Sequence, residues 1–275
     1  MTDQANNEQA PLDDLISIGS DIAGGAAGAA IGFFAAGPVG AVTGGAAGPI
    51  VTYTFRKLAV ELKQRWLGRR EEIRIGATVA FAAAKIRENI ANGQQVRQDA
   101  FFQEQPGDRS AAEEIAEGVL LAAQREHQER KVKFYGNLLA NIVFRPDIDR
   151  DLANALISQV ERMSYRQICI LSLLVRKDEF DLPGHTYGLV QSRSKLLSIL
   201  TDIYELAHQG VLGIDPIDPP GTVFPIHPMP ETGKLLFDLM ELKDIDKAEL
   251  EQIAVYLRSK ENENPSEGTE AAPAG

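Results

Sequence analysis

Apolar residues at Phe55, Leu58, Leu62, Trp66, Ile73, Val79, Phe81, Ile86 and Ile90 recur mostly at three- and four-residue intervals. That period predicts one long helix from Thr54 to about Asn92, with Gly68 as its weak point. The stretch NGQQVRQDAFFQEQPGD at 93–109 carries an Asn-Gly and a Pro-Gly pair and reads as a loop. Ser110 followed by Glu113 is a capping box, which predicts a helix running to about Phe144, where Arg145-Pro146 stops it. A further helix is expected from Asp147 to Arg162, and Ser164 with Gln167 forms a second capping box ahead of the apolar run ICILSLLV.

Past a loop at Leu182-Pro183-Gly184, SRSKLLSILTDIYELAHQG predicts a helix ended by Gly210. The short apolar pieces VLGID and TVFPIH flank the breaker cluster Pro216 to Gly221 and are expected to pair as a small hairpin. MPETGKLLFDLMEL starts a helix behind Pro230, and Asp246-Lys-Ala-Glu249 caps a last one to about Ser259. Helix, two-stranded wing, helix is a winged-helix-like order. As a DNA reader it is poorly equipped, because the recognition helix would offer Asp202 and Glu205 beside Arg193 and Lys195.

The pattern changes character at residues 22–55, IAGGAAGAAIGFFAAGPVGAVTGGAAGPIVTYTF, which hold no Asp, Glu, Lys, Arg or His. Before the run, residues 1–21 carry five acids and no lysine or arginine, so they do not read as an ordinary signal peptide. After it, Arg56, Lys57, Lys63, Arg65, Arg69, Arg70 and Arg74 outnumber Glu61, Glu71 and Glu72. Acid, uncharged run, base is the order that leaves the basic side in the cytoplasm.

Gly37-Pro38 divides the run into pieces of about 22 to 26 Å as helices, short of a core roughly 30 Å thick. A kinked span or a re-entrant hairpin turning at Gly37 and Pro38 is therefore expected. Gly24, Gly28 and Gly32 form one series at four-residue spacing, and Gly40, Gly44 and Gly48 form a second. Each series lies along one helix face, where a missing side chain lets another helix come close. A buried soluble hairpin or a flexible linker is the competing reading. The base-rich flank, Arg56, Lys57, Lys63, Arg65, Arg69 and Arg70, would sit at the membrane surface, with Trp66 either an interfacial anchor or a core tryptophan.

The expected fold class is mainly α. It comprises an acidic tail (1–21), a glycine-zipper transmembrane or re-entrant hairpin (22–55), a basic juxtamembrane helix (56–92) and a loop (93–109). A helical cytoplasmic domain (110–180), a winged-helix-like module with the last helix (181–259) and a disordered acidic tail (260–275) follow.

A formal charge of −11 argues against a general coat for duplex nucleic acid. Cys169 is the only cysteine, so neither a disulfide framework nor a multi-cysteine metal site is available, and its apolar run reads as core. No phosphate loop, nucleophile elbow, HExxH or CxxC motif occurs. No catalytic residue, cofactor or metal site is predicted, and the chain is not read as an enzyme.

Within AQREHQERKVK, His127 with Glu126 and Glu129 reads as a solvated face or ion-pair ladder, the competing readings being a metal site or the acidic and histidine cluster of a hydrolase or nuclease. Arg125, Arg130, Lys131 and Lys133 on the same stretch are the candidate site for an anionic ligand, nucleotide or oligonucleotide, should several copies assemble.

The segments ERKVKFYGNLLANIVF, LANALISQVERMSYRQICILSLL, LLSILTDIYELAHQGVLGID and TGKLLFDLM, between about Glu113 and Glu241, resemble the bacterial abortive-infection alpha (Abi-alpha) family. The resemblance covers nearly half the chain, excludes the glycine run and carries no catalytic motif. It implies an antiphage role in which the infected cell is arrested or killed. Joined to the glycine zipper, it leads to the expectation of a homo-oligomeric effector. Such an effector would form or gate an ion-conducting pore in the bacterial inner membrane, with most of the chain cytoplasmic, lipids as partners, and an anionic ligand or a protein in control. The alternative is a soluble helical oligomeric adaptor whose winged-helix-like end binds protein or DNA.

Overall fold

The computed structural model describes residues 69–104, 107, 109–182, 185–186, 194–213, 224–225 and 229–258. Residues 1–68 and 259–275 lie outside the described residues, as do Pro183, Gly184, Arg193 and the breaker cluster Pro216 to Gly221. The described part is mainly helical. Eight α-helices occur in it: α1 (Arg69–Ala91), α2 (Ala111–Arg125), α3 (Val132–Ile142), α4 (Arg150–Arg162), α5 (Tyr165–Val175), α6 (Ser194–His208), α7 (Glu231–Leu239) and α8 (Lys247–Arg258).

The helix ends follow local chemistry. Ser110 accepts a hydrogen bond from the Glu113 N–H at 3.2 Å, and Asp149 accepts one from Leu152 at 2.8 Å. Helix α4 thus starts three residues later than the sequence suggests. At Ser164 both halves of the capping box form, the hydroxyl taking the Gln167 N–H and the Gln167 side chain taking the Ser164 N–H. Such a cap contributes about 1 kcal/mol. Gly210, at φ +71, turns the chain out of α6 in the left-handed conformation that a side chain would oppose.

Helices α3 and α5 are buried along nearly all their length, which their apolar sequences require. Helix α1 lies across α3 and also meets α2. Helix α5 meets α6, α7 and α8, and α7 reaches back to α3 and α4. One continuous core results, from Ile75 and Val79 on α1, through Leu138 and Ile170, to Leu250 on α8.

Helices α1 and α3 approach closely at Gly136. A Cβ there would lie 2.6 Å from the Phe81 Cβ and 2.7 Å from the Thr78 carbonyl oxygen, so the backbones of α1 and α3 touch. Just beyond, Asn89 on α1 donates to Asn141 on α3 at 2.8 Å, and Asn141 donates to the Leu239 carbonyl at the end of α7 at 2.9 Å. Glu241 takes the left-handed backbone at φ 56, unusual for a residue with a side chain. Its carboxylate accepts from Asn141 and meets Lys85 of α1 at 3.0 Å.

The described residues of 93–109 include a 3-10 turn at Ala100–Phe102 and pack as part of the core. Val96 and Phe101 are buried, and the buried Arg97 guanidinium lies over the Phe101 ring and donates to the Ile148 carbonyl at 2.8 Å.

Two expectations are corrected. The single helix expected from Ser110 to Phe144 is two helices, broken at Glu126–Gln128. The pairing found for TVFPIH differs from the expected one: Phe224–Pro225 pairs antiparallel with His185–Thr186, on the other side of α6 in sequence. Val211 and Leu212 are buried against the core instead. The acids of α6 are packing contacts: Asp202 meets Arg166, and Glu205 accepts from Gln167 at 2.6 Å, both on α5.

Candidate functional site

The break between α2 and α3 concentrates the polar chemistry of the described residues. Glu126 leaves the helical conformation at φ −69, ψ 118, and a 3-10 turn at Glu129–Lys131 restarts the chain into α3. Every long side chain in this turn is tied to a different part of the fold.

Glu126 and Lys131, 7% and 2% exposed, form a buried ion pair at 2.5 Å. The Glu126 carboxylate also accepts from the Gln128 N–H at 2.8 Å and from the Tyr135 hydroxyl at 3.4 Å. Burial pushes the Tyr135 hydroxyl far above its ordinary pKa, and the neighbouring Glu126 charge adds to the shift. Lys131 also lies 3.4 Å from the Glu161 carbonyl in the last turn of α4, where a cation complements the negative end of the helix. Gln128 accepts from the Tyr165 N–H at 2.6 Å, answering one of the donors left over at the start of α5. Glu129 points to α1, where Arg70 donates to both its oxygens at 2.5 and 2.7 Å and Arg74 lies 4.0 Å away.

A cavity of about 200 Å³ opens between the ends of α2 and α4 and the start of α5. Arg125, Glu126, His127, Lys131, Glu161 and Arg162 supply its charged and titratable lining. Arg125 donates to Glu161 at 2.8 Å, and Arg162 to Gln159 at 3.0 Å.

The four cations expected to act together are therefore divided. Arg125 and Lys131 line the cavity. Arg130 pairs with Glu249 of α8 at 2.6 Å and lies over the Tyr165 ring. Lys133 lies over the Phe134 ring, its ammonium pushed down by burial against the pull of Asp244 and Glu249. Arg162 belongs to the cavity although its sequence position gave no signal of it, since only the packing of α4 against α2 brings it there.

Glu126, His127 and Glu129 do not converge on one point. His127 Nδ1 is 3.6 Å from Glu126, while Glu129 faces α1. No group of His, Cys, Asp and Glu able to hold a metal ion occurs among the described residues. Cys169 is buried, and that burial pushes its thiol up to about 12, away from nucleophilic chemistry.

Gly24, Gly28, Gly32, Gly37, Pro38, Gly40, Gly44 and Gly48 lie outside the described residues, as do Arg56, Lys57, Lys63, Arg65 and Trp66. Arg69 opens α1. Arg70, expected at a membrane surface, is 62% exposed in its side chain while bonded to Glu129.

No family model, curated protein or solved structure matches this chain.

Proposed function

We propose that the chain is a membrane-acting effector of the abortive-infection type, an oligomer whose glycine-periodic segment at 22–55 forms or gates an ion pathway in the bacterial inner membrane. The observation that carries this reading is the order of the chain. An uncharged run with two four-residue glycine series is followed at once by a base-rich stretch that leads into α1. Glycine faces let helices pack closely in a bilayer, and the bases suit anionic headgroups. The Abi-alpha resemblance adds the antiphage role. No helix among the described residues is long and apolar enough to cross a membrane, so the membrane-crossing part of the reading rests on residues 22–55.

Helix α1 gives the segment a handle. It is held by α3 through the Gly136 contact and by the α2–α3 turn through Arg70 and Glu129, so a shift of the turn reaches the start of α1.

Carbonate washing of membranes from cells expressing the full chain, or a chain beginning at Arg56, tests the anchor. The full chain should stay in the pellet and the shorter one leave it. Vesicle leakage tests the pathway, and Gly28→Leu or Gly44→Leu should abolish it. A full chain that washes off and causes no leak in vesicles favours the soluble adaptor. Undiminished leak in both leucine variants would overturn the glycine-packing mechanism.

A further inference from the structure

We propose that the cavity between α2, α4 and α5 is a binding site for a phosphate group, held mainly by Arg125 and Arg162. As a control input this rests on the membrane-effector reading; as a binding site it does not.

The argument is one of hydrogen-bonding capacity. Three cationic side chains, Arg125, Lys131 and Arg162, face two carboxylates, Glu126 and Glu161. The negative charge inside is already engaged: Glu126 accepts from Lys131, Tyr135 and the Gln128 N–H, and Glu161 accepts from Arg125. Lys131 is likewise occupied, between Glu126 and the Glu161 carbonyl. What is left over is donors. A guanidinium has five N–H groups, and Arg125 and Arg162 each direct one nitrogen to a side-chain partner, Glu161 and Gln159. His127, 85% exposed in its side chain, stands at the same mouth.

Two guanidinium groups with spare donors lining one cavity match the oxygens of a phosphate, which two forks can hold from different sides. The ends of α2 and α4 present partial negative charge here, which is why each needs its own arginine in the last turn. The start of α5, with Ser164 in the lining, adds a positive helix end.

Size sets the ligand class. A cavity of about 200 Å³ is smaller than the roughly 300–1,000 Å³ of a site that encloses a drug-sized molecule. It accommodates a phosphate and the first atoms that carry it, so a nucleotide would place its phosphate inside and its base outside. An oligonucleotide would not be enclosed. The site also has an outlet: it shares the Glu126–Lys131 turn with Glu129, which grips Arg70 of α1.

The test is calorimetric titration of the full chain with inorganic phosphate, adenosine 5′-monophosphate and adenosine. Phosphate or the monophosphate should bind and adenosine should not. Comparable affinity for the first two identifies free phosphate as sufficient, while a tighter monophosphate identifies an ester. Arg125→Gln and Arg162→Gln should each weaken binding at least about tenfold. Both residues are exposed, so circular dichroism should show the fold kept. Arg130→Gln, whose arginine pairs with Glu249 outside the cavity, should leave the affinity unchanged. Absence of binding, adenosine binding as well as its monophosphate, or equal losses in all three variants would overturn the proposal. Leakage is scored separately in vesicles: lost binding with leak intact sinks the site alone, and binding without leak sinks the effector reading alone.

Discussion

Helix α1 is held in two places by opposite means. Its first turns meet the α2–α3 turn through the largely buried Glu129, which pairs with the exposed Arg70 and lies 4.0 Å from Arg74. Its middle meets α3 where Gly136 removes a side chain and backbones touch. A pair with one partner in solvent contributes less than a fully buried one, and its exposed end can exchange with water. Close packing has one good arrangement and a steep penalty around it. The end nearest the uncharged run can therefore change partners at low cost, while the middle fixes the helix to the domain.

The largest effect should come from the turn itself. Lys131→Met leaves Glu126 buried with one fewer donor, and removing one partner of a buried pair costs about 3–5 kcal/mol. Urea unfolding should show this loss, and adding Glu126→Gln should recover part of it. A loss below about 1 kcal/mol would mean that the turn is not the fixed point it looks to be.

Gly136→Ala attacks the other hold. The added carbon would collide with Phe81 and with backbone on α1, and overpacking of this kind costs about 1–3 kcal/mol. The melting temperature should fall by several degrees. An unchanged melt would show that α1 can slide on α3, and the contrast between its two holds would vanish.

How far these contacts were legible in sequence depends on how local they are. Ser164 with Gln167, Gly210 and Pro230 act within a few residues of themselves, and each sits at the helix end expected of it. The break at Glu126 gave no such signal, because AQREHQERK is made largely of good helix formers. Packing decides it: α2 and α3 both lie on α1, and a straight continuation would not bury Lys131 against Glu126. The strand partner of Phe224–Pro225 failed for the same reason, since His185–Thr186 lies beyond a whole helix. Of the cavity, Arg125 and Lys131 stood out as a basic cluster, whereas Arg162 joins only in three dimensions.

A smaller effect lies at the far end of α1. Burial raises the Glu241 carboxyl, but hydrogen bonds from Lys85 and Lys243 outweigh it and hold the group below its ordinary value of 4.5. A carboxyl lowered in the folded state adds stability that is fully present above its unfolded pKa and is lost as pH falls through the folded one. Glu241→Gln should cost on the order of 1 kcal/mol at neutral pH and flatten the loss of stability below about pH 4.5. If the acid limb keeps its slope, Lys85 of α1 is not held there by charge.

The smallest effect is the most informative about α1. Arg70 is largely exposed and Arg74 stays near Glu129, so Arg70→Gln should cost only about 1 kcal/mol in unfolding, although it removes both bonds to the largely buried Glu129. Its consequence should instead be local. Amide hydrogen exchange in the first turns of α1 should quicken while the stretch around Thr78 to Ala82, packed on Gly136, keeps its protection. High salt should reproduce the effect in the unaltered chain, because screening weakens exposed pairs and leaves close packing untouched. Equal loss of protection along the whole helix would show that α1 moves as one rigid piece, with the arginines as essential to its seating as Gly136. Loss confined to the first turns would make the stretch that joins the uncharged run the part free to respond when the turn shifts.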